Sequence, residues 1–131
     1  MIHRRPIPVL TLLLVVFVSG LHALAPDRSL LYFGFSEIFD GQAWRAFSGH
    51  FVHVDGNHLA WNIIGLGVLS WLVEGHSWRL LAGALLAGVI SVNLLLLSPL
   101  AGLDYYCGLS GVLNALLVVA LFSWIVGTIM R

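Results

Sequence analysis

Charge is scarce in this sequence. Its 131 residues carry six basic and six acidic side chains, 9% charged in all, while 60% are hydrophobic. An ordinary soluble domain is about a quarter charged, and so few formal charges cannot cover a sphere of this size in water. A soluble globular domain is therefore excluded, and so is a disordered chain, which needs the opposite composition. The basic residues are all arginine, scattered along the chain and balanced to a net charge of zero. That excludes a nucleic-acid partner, whose phosphates call for a basic patch. Cysteine is nearly absent: Cys107 alone makes neither an internal disulfide nor a cysteine-based zinc site. What is left is an integral membrane protein with several spans, embedded in a lipid bilayer.

Four apolar stretches supply the spans: about Ile7 to Ala25, Asn57 to Val73, Leu80 to Leu97 and Leu109 to Ile129. Pro8 opens the first, Pro26 closes it and Pro99 stops the third. Each is roughly 17–21 residues, on the order of 26–32 Å of helix, which matches a hydrocarbon core. A soluble helix of that length is rarely apolar on all faces. The first stretch also fits a signal peptide, with Arg4 and Arg5 ahead of an apolar core. Its run is long for that role, and Leu21–Ala25 is only a fair cleavage site. The fold class is thus all-α, a polytopic transmembrane helical bundle of about four spans, in one domain over residues 1–131.

The arginines set an orientation. With the N-terminus in the cytoplasm, Arg4, Arg5, Arg79 and Arg131 lie inside, and only Arg28 and Arg45 lie outside. Stretches one and three then run outward, two and four inward. The joins at Glu74–Arg79 and Pro99–Cys107 are short, as in a compact bundle. The outer loop Pro26–Gly56 is long and mixes charges with Tyr32, Phe33, Phe35, Phe39 and Trp44, a composition suited to the headgroup level. Long loops in compact proteins are often functional.

Polar groups in lipid are costly, so the few present are informative. His58 and Asn62 are four residues apart and share one face of a helix. His53 and His58 are five apart, which a continuous helix does not align. Ser110 falls in the first turn of the fourth stretch, where backbone N–H groups are free and the helix dipole favours developing negative charge. Gly108 and Gly111 let the chain turn and let another backbone or a substrate approach. Asn114 lies one turn below Ser110. Both helices enter from the outer side, so His58, Asn62 and Ser110 lie at one depth: a serine, two side-chain donors and free amides that together suit acyl transfer.

Plainer readings stand beside this one. Gly111 and Ala115 fit a small-residue packing seam. His50 and His53 fit satisfied interfacial histidines, and Cys107 a small packing residue. A zinc site from His50, His53 and His58 lacks a second ligand cluster and the His-Glu-x-x-His pattern, so no metal and no cofactor is expected.

In these residues the chain resembles the rhomboid intramembrane serine proteases. Trp44-Arg45 is similar to that family's Trp-Arg pair in the first outer loop. His53, His58 and Asn62 match its His-x4-His-x3-Asn pattern, and Gly108-Leu109-Ser110-Gly111 with Ala115 its Gly-x-Ser-Gly-x3-small pattern. Gly49-His50-Phe51-Val52-His53 and the run Gly108–Leu113 look most like the rhombosortase branch, which processes bacterial surface proteins bearing a C-terminal sorting helix. The resemblance implies Ser110 as nucleophile of a Ser-His dyad. It implies His58, Asn62 and the Ser110 amide as an oxyanion hole, with Gly108 and Leu109 beside the substrate. His53, Trp44 and Arg45 would be structural. It further implies a transmembrane protein substrate and a bacterial cytoplasmic (inner) membrane.

One departure matters. The family core has six helices and carries its general-base histidine in the sixth, whereas no histidine follows His76 here. A serine hydroxyl without a positioned base is a poor nucleophile near neutral pH. The expectation is a rhomboid-like domain incomplete at its C-terminus. The alternative is a non-catalytic rhomboid-like protein that binds transmembrane segments. A small transporter subunit is weaker, because it wants ionisable residues near the midplane of several spans. The orientation is checked by reporter fusions: one after Ala25 is expected to read outside and one within 74–79 inside, and the reverse pattern would move Ser110 to the cytoplasmic side.

Overall fold

The structure, a computed structural model, describes residues 7–129. Arg4, Arg5 and Arg131, on which the orientation rests, lie outside the described residues. Four long helices form the body: α1 (Val9–Leu24), α4 (Gly56–Glu74), α5 (Trp78–Leu96) and α6 (Ser110–Ile129). Each follows one of the apolar stretches to within a few residues at either end. Two short helices, α2 (Phe35–Phe39) and α3 (Arg45–Ser48), lie between α1 and α4.

Local chemistry sets the helix starts. Asp55 caps α4 by accepting the His58 amide at 2.8 Å, and the Ser77 hydroxyl accepts Arg79 N and Leu80 N at the head of α5. Pro8 has no side chain that caps α1. The far end of α4 does that work instead. The Glu74 carboxylate accepts Leu10 N at 2.9 Å, Thr11 N at 2.8 Å and the Thr11 hydroxyl at 2.6 Å. An anion at a helix N-terminus satisfies free amides and opposes the dipole, so these bonds fix α1 antiparallel to α4.

The helices close on small residues. A Cβ on Gly88 would stand 3.1 Å from the Ala115 Cβ, and one on Gly65 would stand 2.9 Å from Leu113 Cδ1. Ala115 and Gly111 thus do form a seam against α5, the plainer reading of that part of the motif. Val18, Leu66, Val73, Leu81, Leu109, Val112 and Leu116 make the core. The outer surface stays apolar, with Leu13, Val16, Trp61, Leu94, Val118 and Phe122 all exposed.

Among the described residues, α5 and α6 are long and apolar enough to cross a membrane. Two of the four expected spans fall short of that standard. Helix α1 is apolar but has 16 residues, about 24 Å of rise. Helix α4 has 19 residues but carries His58, Asn62, Ser70 and Glu74.

The long loop after α1 is folded. A 3-10 turn (Arg28–Leu31), strand β1 (Phe33–Gly34), α2 and α3 follow one another. Strand β1 pairs antiparallel with β2 (Tyr105–Tyr106), with Phe33 opposite Tyr106 and Gly34 opposite Tyr105. Phe35 N donates to the Asp104 carbonyl at 2.9 Å, and the Tyr105 hydroxyl donates to Glu37 at 2.9 Å. The loop therefore grips the segment that leads into α6.

Removing the Glu74 carboxylate strands the two α1 amides. Glu74→Ala is expected to lower stability by about 2 kcal/mol, the usual range for bonds to a charged acceptor, read by denaturant unfolding in micelles. An unchanged midpoint would show that water caps α1 equally well.

Candidate active site

Because Asp55 starts α4 at Gly56, His53 lies ahead of the helix rather than on it. The chain turns there, and the His53 and His58 rings meet edge to face, with centroids 5.0 Å apart. The five-residue spacing that misaligns them on a continuous helix therefore does not hold them apart.

The expectation that His53 is a satisfied interfacial histidine is corrected, while His50 does find a partner. His53 is 0% exposed, and neither of its ring nitrogens has a hydrogen-bond partner among the described residues. Burial disfavours the charged form and pushes its pKa down to about 4, with the nearby His58 and His22 adding to the shift. His50 is also buried, and burial again lowers its pKa. Its Nε2 lies 3.4 Å from Asn93 Oδ1, while Nδ1 has no partner.

Gly108 joins the two halves of the site. Its φ of +111° is a conformation that L side chains rarely adopt. Its amide donates to the Gly49 carbonyl at 2.9 Å. A Cβ there would stand 2.7 Å from His58 Cε1 and 3.0 Å from Nε2, so the glycine is needed twice, for backbone angle and for space. Leu109 is buried in the core and anchors the turn, so only its backbone is available to a substrate. Ser110 follows as the first residue of α6, exposed, and its hydroxyl has no hydrogen-bond partner among the described residues.

Asn62 is buried one turn along α4 from His58. Its Nδ2 donates to the His58 carbonyl at 2.8 Å, and its Oδ1 is buried without a partner. An amide has two N–H donors, so one remains for another acceptor.

Arg45 is buried and holds the outer loop. Its guanidinium donates to Gln42 Oε1 at 2.7 Å and to the carbonyls of Ser29 at 3.0 Å and Tyr32 at 3.1 Å. Trp44 beside it is 56% exposed and stands on the outer surface. Cys107 is half-buried, and burial raises its thiol pKa. Asn114 is exposed.

Two site neighbours escape sequence reasoning. Asn93 of α5 donates through Nδ2 to the Ala46 carbonyl at 2.7 Å and faces His50. Its signal was there: the one amide side chain in α5. Tyr106 accepts the Gly111 amide on its hydroxyl at 3.3 Å, and no local spacing announces that contact.

The chemistry available is oxyanion stabilisation. The Ser110 amide opens a helix, and the His58 imidazole and Asn62 amide lie on the facing turn of α4. Proton abstraction is not provided: among the described residues no histidine or carboxylate hydrogen-bonds the Ser110 hydroxyl.

A family model described as the rhomboid domain matches residues 40–130, a span that holds every residue of this site from Trp44 to Ser110. No curated protein and no solved structure matches the chain.

The buried imidazole gives a pH signature. Unfolded histidine titrates near 6.5, and folded His53 at about 4, so the folded state rejects the proton. Its stabilising contribution is complete above about pH 6.5 and is lost as pH falls toward 4. The unfolding temperature in micelles is expected to be lower at about pH 5 than at about pH 7.5, with His53→Leu flattening the slope. A slope unchanged by that substitution would assign it to other groups.

Proposed function

The chain belongs to the rhomboid domain family, an integral-membrane family of serine proteases in the main, and we propose that it is an intramembrane serine endopeptidase with Ser110 as nucleophile. The observation that carries this reading is the closeness of Gly108 to the His58 imidazole, which sets the first turn of α6 beside the polar turn of α4. In this reading α1, α4, α5 and α6 all span a bacterial cytoplasmic membrane, with the N-terminus inside. The substrate is a transmembrane protein, and the Gly49–His53 run favours one with a C-terminal sorting helix.

The reaction follows from the groups at hand. Ser110 Oγ attacks the scissile carbonyl and gives up its proton to a base. The carbonyl oxygen becomes an oxyanion that accepts hydrogen bonds from Ser110 N–H, Asn62 Nδ2 and the His58 ring. Collapse expels the amine, which takes the proton back from the base, and leaves an acyl-serine. Water, or an incoming amine, then releases the acyl group by the same path in reverse. The resemblance to the family assigns the base to a histidine, and among the described residues none hydrogen-bonds Ser110 Oγ. His53, Trp44 and Arg45 hold the structure, and Gly108 and Leu109 offer backbone to the substrate. A second reading, a non-catalytic binder of transmembrane segments, is favoured by that same unpartnered hydroxyl.

The two readings separate on the full-length protein in liposomes with a transmembrane reporter peptide and a fluorophosphonate probe. For the protease, Ser110→Ala is expected to abolish both cleavage and labelling. Asn62→Ala is expected to lower kcat on the order of 10²–10³-fold with little change in KM, the usual cost of one oxyanion donor. Reporter binding without labelling or cleavage by the wild type would favour the binder.

A further inference from the structure

We infer that Tyr106 is a positioning residue that sets the first turn of α6 for reaction, and the inference rests on Ser110 acting as the nucleophile. A new helix has free amides in its first turn. The residue ahead of Ser110 is Leu109, which has no acceptor to offer them. Tyr106 supplies one from four residues upstream of the serine: its hydroxyl accepts the Gly111 amide at 3.3 Å. That amide is the one directly after the nucleophile.

The hydroxyl is itself held from two sides. On the backbone, Tyr106 pairs with Phe33 across the β1–β2 ladder, so its Cα is tied to the outer loop. On the side chain, the ring packs against the His50 imidazole at 5.7 Å between centroids. His50 faces Asn93 Oδ1 at 3.4 Å, and Asn93 donates to the Ala46 carbonyl at 2.7 Å. A half-buried ring between a sheet and an amide-held imidazole has little freedom. Gly111 completes the fit, since a Cβ there would stand 3.2 Å from the Tyr106 oxygen and 2.6 Å from Val92 Cγ2.

Two consequences follow for chemistry. The Gly111 N–H is occupied, which leaves the Ser110 N–H as the neighbouring amide free to meet an oxyanion. The turn that carries Ser110 is also fixed relative to Gly108 and His58. A donor displaced by about 1 Å can lose about two orders of magnitude in rate. This one pinning bond, long at 3.3 Å, controls part of that, through kcat rather than through substrate binding.

The test uses the full-length protein in liposomes with a transmembrane reporter peptide, and compares Tyr106→Phe, Tyr106→Leu and Ser110→Ala with the wild type. Tyr106→Phe keeps the ring on His50 and removes only the acceptor. It is expected to lower kcat about tenfold, with KM within about twofold, the fluorophosphonate labelling rate falling in parallel and the unfolding temperature little changed. Tyr106→Leu also loses the His50 contact and is expected to fall further. A kcat for Tyr106→Phe within about twofold of wild type, with Ser110→Ala inactive, overturns the positioning role and leaves the protease reading standing. Loss of kcat together with a collapse of the unfolding temperature also overturns it, by making Tyr106 a residue of the fold alone. Cleavage that survives Ser110→Ala overturns the protease reading and this inference with it.

Discussion

The site depends on the approach of one glycine to one imidazole. Gly108 turns with φ +111° and lies against the edge of His58, while its amide is bound by Gly49. That single point ties the entry of α6 to the first turn of α4 and to the end of the outer loop. Without it, Ser110, His58 and Asn62 are three polar residues on two helices. With it, the turn ahead of Ser110 lies against the His58 turn of α4. Any side chain at position 108 meets a steric limit on two counts, so the tolerance of the site is set by backbone rather than by side-chain chemistry.

The outer loop makes that approach rigid. Arg45 gathers the carbonyls of Ser29 and Tyr32, and Ser48 donates to Leu31 at 2.8 Å. A Cβ on Gly49 would stand 2.5 Å from the Phe33 amide nitrogen, so the loop packs backbone on backbone there. Strand β1 then meets β2, and β2 feeds α6. Polar backbone is thus consumed inside the loop, as buried backbone groups require.

The helices and the candidate nucleophile were readable from the sequence because their signals are local. Apolar runs bounded by Pro8, Pro26 and Pro99 mark α1 and the end of α5. A four-residue spacing puts His58 and Asn62 on one face, and the glycines around Ser110 mark a turn into a helix. The contact of His53 with His58 has no such local signal: helical rotation applies only from Gly56 onward, and His53 precedes it. Tyr106 on Gly111 was not readable at all; Asn93 stood out as the amide of α5 and Arg45 as a structural residue, but the carbonyls they bind did not. Their partners are chosen by tertiary approach, with no periodicity to betray it. The same holds for the unsatisfied nitrogens of His53, since burial without a partner leaves no mark in spacing.

The Glu74 clamp bears on how the molecule is assembled. The amides at the head of α1 find their acceptor 63 and 64 residues downstream. As the chain emerges from the ribosome, α1 exists before Glu74 has been made. Through that interval its first turn has to rely on water or lipid headgroups. Completion of α4 delivers the carboxylate, and the bonds it makes to α1 involve no residue of α5 or α6. The polar bond thus acts as a register mark: it specifies which end of α4 meets α1 in a solvent where apolar surfaces alone do not discriminate one sliding position from another.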